Sequence, residues 1–213
     1  IQNERAGRYN GRTVQVIPHI TDEIKRCIRH VSATTNADVV VVEIGGTVGD
    51  IEAVPYLEAA RQLVRELGKK NAISVHLTLI PVITGGELKS KPTQNSVKQL
   101  QQVGIQPDIL ICRCEGEVEE SMKKKIARFC NVKSDSVFVS PDVKKSIYEL
   151  PVLFHEQGLT KNILEKLDIV NKSTDVSQWT SFLEKLNTPS KKVCIGMVGK
   201  KDYLDNCYKS VQE

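Results

Sequence analysis

Four consecutive valines, residues 39 to 42, constrain the fold of this chain more than any other feature. The run has the length of a β-strand and is too short to form a helix of its own. It is apolar on both faces, which is typical of a central strand in a parallel sheet covered by helices on both sides. Glu43 and a glycine-rich loop follow directly. Since open α/β sheets bind ligands at the carboxyl ends of their strands, the sequence predicts a functional site at residues 43–52.

The glycine loop favours phosphate as the ligand. Glycines let backbone N–H groups approach an anion closely. Glu43 could lie beside a phosphate only with a cation such as Mg²⁺ between them, and Asp50 and Glu52 add two further acids. The alternative is an ordinary turn, because G-G-T-V-G matches neither the G-x-x-x-x-G-K-[ST] phosphate loop nor the G-x-G-x-x-G fingerprint.

Strand-like and helix-like segments alternate along the rest of the chain. Besides the valine run, strands are predicted at residues 13–17, 72–80, 107–112 and 137–139, with a fresh strand at 193–200. Helices are predicted at about 22–33, 55–67, 147–155, 160–167 and 179–186, with others after Pro92 and around residues 120–130. This order predicts an α/β, doubly wound fold, with a mainly parallel sheet and helices on both faces.

Composition narrows the function. The net charge of +4 is modest and aromatic residues make up only 5%, so we expect no nucleic-acid partner. No apolar run reaches membrane-spanning length, so we expect no membrane partner. The six cysteines follow no zinc-ligand spacing, which fits reduced thiols in the cytoplasm. The chain starts without methionine and ends within an apparent helix, so we expect a piece of a longer protein.

A basic segment before a predicted helix is a second candidate site. Lys89 and Lys91 precede Pro92 and Thr93, which places two ammonium groups near free backbone N–H donors, an arrangement suited to a polyphosphate. A solvated basic turn is the alternative. His19, just ahead of a helix start, could likewise meet an anion or be a plain turn residue. On the helix around residues 120–130 we expect Ile126, Phe129 and Cys130 to face inwards.

Four segments together resemble the CTP synthase family. They are residues 13–21 (TVQVIPHIT), 43–52 (EIGGTVGDIE), 89–94 (KSKPTQ) and 129–132 (FCNV). The resemblance implies a P-loop ligase fold of the dethiobiotin-synthetase type and a glutamine-dependent amidoligase. In that family ATP phosphorylates the uracil O4 of UTP, and ammonia from a glutaminase domain displaces the phosphate to give CTP.

The resemblance also implies roles for individual residues. Glu43 matches the Mg²⁺-binding glutamate and, with Gly46, a catalytic position. Asp142 and Val143 match the ATP-contacting loop. Positions that match UTP contacts, and overlapping contacts of the feedback inhibitor CTP, are Gln15, His19, Asp50, Ile51, Glu52, Lys89, Ser90, Lys91, Pro92, Thr93, Gln94 and Lys125. Family members further imply GTP as activator, a homotetramer and, in some cases, filaments.

The resemblance has gaps. The P-loop that carries the family's ATP-binding lysine and second metal ligand is absent from this sequence, as is the glutaminase nucleophile. The loop at 81–87 is a residue shorter than usual, and that at 142–148 a residue longer, which weakens the ATP-loop assignment. We expect an amidoligase domain at 1–168, a linker at 169–191 and the start of a glutaminase domain at 192–213. A non-catalytic nucleotide-binding or assembly module is the main alternative, and another P-loop ligase, such as a dethiobiotin synthetase relative, is a third.

Overall fold

A computed structural model describes residues 1–143, 145–170, 174–191, 193–196 and 198. Its centre is a parallel sheet of three strands in the order β1-β2-β3. The strands are β1 (Val75–Leu79), β2 (Ile109–Cys114) and β3 (Val137–Pro141). Their registers pair Leu77 with Ile111 and Cys112 with Val139, so all three carboxyl ends lie at one edge of the sheet.

Helices occupy most of the connections between and around the strands. They are α1 (Gln2–Arg5), α2 (Thr21–Thr35), α3 (Val54–Leu67), α4 (Lys91–Gln102), α5 (Glu120–Cys130), α6 (Leu150–Glu156), α7 (Leu159–Lys166) and α8 (Ser177–Asn187). Because β1 connects to β2 through α4 and β2 connects to β3 through α5, both crossovers are of the β-α-β type that parallel strands require.

The two faces of the sheet are covered by different helices. On one face Leu110 and Cys112 of β2 lie in a buried cluster with Ile126 of α5. On the other face Ile109 and Phe138 pack with Leu159 of α7. Successive strand residues point to opposite faces, so a strand buried on both sides needs a continuous apolar run, which β2 has from Ile109 to Cys112. The predicted doubly wound α/β class is confirmed.

Strand β1 is an edge strand with an inverted pattern of burial. Its polar residues His76 and Thr78 face inwards, whereas Val75, Leu77 and Leu79 are 41%, 70% and 51% exposed. The inward polar face is satisfied by hydrogen bonds to its neighbours: His76 Nε2 lies 2.9 Å from Ser96 Oγ on α4. The inward position of His76 and Thr78 agrees with the alternation of polar and apolar residues along this strand. The contact of His76 with Ser96 is structural.

A charged contact joins α2 to α3. The Lys25 ammonium is buried and bonds Glu66 on α3 at 2.8 Å and Asp22 on α2 at 3.0 Å. Arg29 also pairs with Glu66. These hydrogen bonds raise the pKa of Lys25 and lower that of Glu66.

The valine run is not a strand in this structure, which corrects the central prediction. Residues 39–42 belong to no sheet, and Val39, Val41 and Val42 are 51%, 89% and 49% exposed. β-Branched residues favour a strand only when a neighbouring strand supplies hydrogen bonds and packing, and none of the described strands pairs with this run.

Three smaller expectations also differ from the structure. Residues 13–17 form no strand, because the chain turns at Val16–Ile20 instead. Phe129 is 57% exposed, although Ile126 and Cys130 are buried as expected. Of the strand predicted at 193–200, residues 193–196 and 198 are exposed and belong to no element, and the others lie outside the described residues. The rest of the predicted glutaminase start at 192–213 lies outside the described residues.

Candidate functional site

The acidic loop after the valine run is closed by one of its own carboxylates. Asp50 Oδ2 accepts a hydrogen bond from the Thr47 backbone N–H at 2.9 Å, and the Asp50 N–H donates to the Thr47 carbonyl at 3.0 Å. Gly46 has φ +84°, and a Cβ there would lie 3.2 Å from Asp50 Oδ2. Glycine is therefore required at position 46 both by conformation and by the close carboxylate. Glu43 is exposed just before this turn.

The same loop is packed against the C-terminal part of α4. Ile44 and Val48 join a cluster with Leu57 of α3 and Leu100 of α4. A Cβ at Gly49 would lie 3.5 Å from the Gln99 side chain. Ile51 and Glu52 continue into a short turn, Ile51–Ala53, whose first residue is 86% exposed.

The lysine-rich segment forms the start of α4 at the carboxyl edge of the sheet. Thr93 is fully buried, and its hydroxyl donates to the Leu79 carbonyl at 3.0 Å, where β1 ends. Ser90 and Gln94 are buried too and bond each other through Ser90 Oγ and Gln94 Nε2 at 3.1 Å. The structure therefore uses these three side chains to fix the helix start.

The lysines around this anchor face solvent. Lys91 and Pro92 are exposed, and Lys89 pairs with Glu87 at 2.6 Å. Lys125 is exposed on α5. Gln99, which touches the acidic loop, lies six residues beyond Thr93, or about 9 Å along the helix. Helix α4 therefore contacts the acidic loop near Gln99, whereas Lys89 and Lys91 lie at or just before its N-terminus.

An ion pair links the carboxyl ends of β2 and β3. Arg113 donates from Nε to Asp142 Oδ1 at 2.7 Å and from Nη2 to Oδ2 at 3.3 Å. This two-point contact lowers the pKa of Asp142 and raises that of Arg113. Val143, half-buried, follows at once. Asp142 and Val143 therefore share the carboxyl edge of the sheet with the start of α4.

Gln15 and His19 belong to the turn before α2. The Gln15 backbone N–H donates to His19 Nδ1 at 2.9 Å. The His19 ring packs edge-on against Tyr9 at 5.0 Å. Both rings line a surface cavity of about 380 Å³ together with Arg8 and Arg26.

Sequence reasoning missed Arg113 as a partner of the candidate site. Its signal was present, because a charged residue ends an apolar strand at the edge where ligands bind. The contact of α8 with the segment after β3 was also missed. No sequence pattern around Trp179 indicates that it contacts Tyr148.

Glu43 is the residue that could hold a metal ion. Among the residues that the structure describes, no three His, Cys, Asp or Glu side chains are grouped as a cation cage. A single exposed carboxylate beside a glycine loop nonetheless suits Mg²⁺, which retains several waters and binds through one or two carboxylates plus substrate phosphates.

The parallel sheet, with candidate residues at its carboxyl edge, has the layout of doubly wound α/β proteins, which bind their ligands at that edge. Residues 1–169 match the family model described as the CTP synthase N-terminus, and the chain belongs to that family. Proteins named CTP synthase are similar over the whole chain: that of Geobacter sulfurreducens is 53% identical, that of Flavobacterium psychrophilum 51% and that of Synechocystis 50%.

The chain spans about two fifths of the length of these curated relatives, 39% of the Synechocystis protein and 40% of the other two. No helix within the described ranges is both long and apolar enough to cross a membrane.

Proposed function

We propose that the whole protein converts UTP to CTP, with ATP as phosphoryl donor and ammonia released from glutamine as nitrogen donor. The observation that carries the proposal is the family match over residues 1–169, supported by CTP synthases that are similar along the entire chain. In the reaction ATP transfers its γ-phosphoryl group to uracil O4. Ammonia then attacks C4, phosphate leaves with the oxygen, and CTP, ADP and phosphate result.

The acidic loop would serve the phosphoryl transfer. Glu43 would hold Mg²⁺, which neutralises charge on the transferred phosphoryl group. Because Gly46 has no side chain, the backbone of the loop can pass close to the Asp50 carboxylate. This close approach supports a catalytic role for the loop backbone. Asp50, Ile51 and Glu52 would border the pyrimidine nucleotide.

The start of α4 would receive the triphosphate of UTP. Lys89 and Lys91 supply positive charge at a helix N-terminus, where backbone N–H groups and the helix dipole favour anions. Ser90, Thr93 and Gln94 fix that terminus on β1 and on each other, so their main contribution would be to position the lysines. The UTP site would also include Lys125 from α5, and Gln15 and His19 from the turn before α2. The feedback inhibitor CTP would bind at a site that overlaps that of UTP.

Asp142 and Val143 would contact the ATP base. Their place at the carboxyl end of β3 supports this role, and the Arg113 guanidinium holds Asp142 in one orientation.

We further propose the domain limits 1–168, 169–191 and 192–213, a cytoplasmic homotetramer that can form filaments, and GTP as activator of glutamine hydrolysis.

The test is product identification with the full-length protein. Incubation with UTP, ATP, Mg²⁺ and ammonium should yield CTP and ADP in equal amounts, and glutamine should replace ammonium. Omission of ATP should stop the reaction. A full-length protein that binds these nucleotides but forms no CTP from either nitrogen source would be a non-catalytic module, which would overturn the proposal.

A further inference from the structure

Helix α8 lies beyond the residues matched by the family model, yet it contacts the segment that follows β3. Trp179 Nε1 donates to the Tyr148 carbonyl at 2.7 Å. The Trp179 and Tyr148 rings meet edge-on with centroids 5.9 Å apart. Phe182, one turn further along α8, meets the other rings at 5.6 Å from Tyr148 and 5.8 Å from Trp179. Three aromatic rings therefore join α8 to this segment.

Tyr148 belongs to the short turn Ile147–Glu149, which begins five residues after Asp142. The turn is fixed locally as well, because the Tyr148 backbone N–H donates to Ser146 Oγ at 3.2 Å and Ser146 is buried. At the other end, Arg113 holds Asp142 against β2. The segment after β3 is thus tied at both ends, to the sheet by an ion pair and to α8 by aromatic contacts.

We propose that Trp179 is a positioning residue for ATP, acting through Tyr148 on the placement of Asp142 and Val143. The inference rests on the proposed function, in which those two residues contact the ATP base. It adds that a helix in the expected linker sets ATP affinity. Trp179 itself does not touch the nucleotide.

Two substitutions separate the parts of the contact. Trp179→Phe keeps an aromatic ring against Tyr148 but removes the N–H donor, whereas Trp179→Ala removes both. In the full-length protein we expect KM for ATP to rise about threefold for Trp179→Phe and about tenfold for Trp179→Ala, since an aromatic pair and a hydrogen bond each contribute on this scale. The value of kcat at saturating ATP and the KM for UTP should stay near wild type.

Leu186→Ala is the matched control. Leu186 lies on the same helix, is 41% exposed and belongs to none of these ring contacts, so its loss reports general weakening of α8. It should leave KM for ATP unchanged. As a second readout, ATP should change the tryptophan emission of the wild type and not that of Trp179→Phe.

Negative results in these experiments distinguish between the proposed function and the positioning role of Trp179. A wild-type rate of CTP formation that does not depend on ATP would overturn the proposed function, and this inference with it. A wild type that depends on ATP, with both Trp179 variants keeping its KM for ATP, would overturn the positioning role alone. The same holds if the variants raise KM for ATP and UTP equally, because that pattern indicates a general structural effect.

Discussion

Thr93 of α4 donates its hydroxyl to the carbonyl of Leu79, the last residue of β1, at 3.0 Å. The same hydroxyl lies 3.2 Å from Thr78 Oγ1. Through this contact the N-terminus of α4 is held at the carboxyl end of an edge strand. The exposed Lys91 is thereby presented at the edge of the sheet where α/β proteins bind their ligands.

Replacement of Thr93 by valine tests this anchor. The substitution keeps the shape but removes the buried donor, which leaves the Leu79 carbonyl without its bond, and we expect a loss of about 1–2 kcal/mol in the free energy of unfolding by urea. Thr180→Val on α8 is the matched control, since the Thr180 hydroxyl donates to the carbonyl of Val176, just before the same exposed helix. It should cost less than about 0.5 kcal/mol. Equal losses at the two positions would argue against the anchor.

His76 makes stability depend on pH. Burial lowers the pKa of His76 below its ordinary value of 6.5, so the folded state binds its proton less readily than the unfolded state. Stability should therefore be complete above pH 6.5 and fall as pH drops below 6.5 towards the folded-state pKa. His76→Gln, which can still bond Ser96, should lessen the fall in urea-unfolding stability between pH 7.5 and 5.5. An unchanged fall would assign the effect to other groups.

Gly104 is expected to resist substitution for two reasons that can be separated. Its φ is +86°, and a Cβ there would lie 2.9 Å from Arg61 Cδ. Gly158 has the same φ with no atom within 4 Å, so Gly158→Ala should cost only the backbone term of about 1 kcal/mol. Gly104→Ala should cost more, in thermal or urea unfolding.

The excess at Gly104 should depend on Arg61. Arg61 is held by Glu58 through two hydrogen bonds, which lower the pKa of Glu58 to about 2 and restrict the movement of the Arg61 side chain. In a double-mutant cycle, Arg61→Ala should remove the excess cost of Gly104→Ala. Purely additive losses would show that the contact is unimportant.

The sequence predicted the fold where local pattern and packing agree. The apolar residues of β2 are buried on both faces, and α3 ends at Leu67, as predicted. The valine run had an equally strong pattern, but a strand also needs a partner, and a sequence pattern does not identify one. Distant pairs such as Arg113 with Asp142 depend on strand register, which local periodicity does not specify.

The most direct test of the account is the rate of CTP formation from ammonium by the full-length protein carrying Glu43→Gln, with glutamine hydrolysis measured in parallel. The amide keeps the size of the side chain but removes the charge that Mg²⁺ needs. We predict at least about a hundredfold loss of CTP formation, on the scale of losing one electrostatic contact in a transition state, with glutamine hydrolysis retained. CTP formation at the wild-type rate would contradict the role of the acidic loop in phosphoryl transfer.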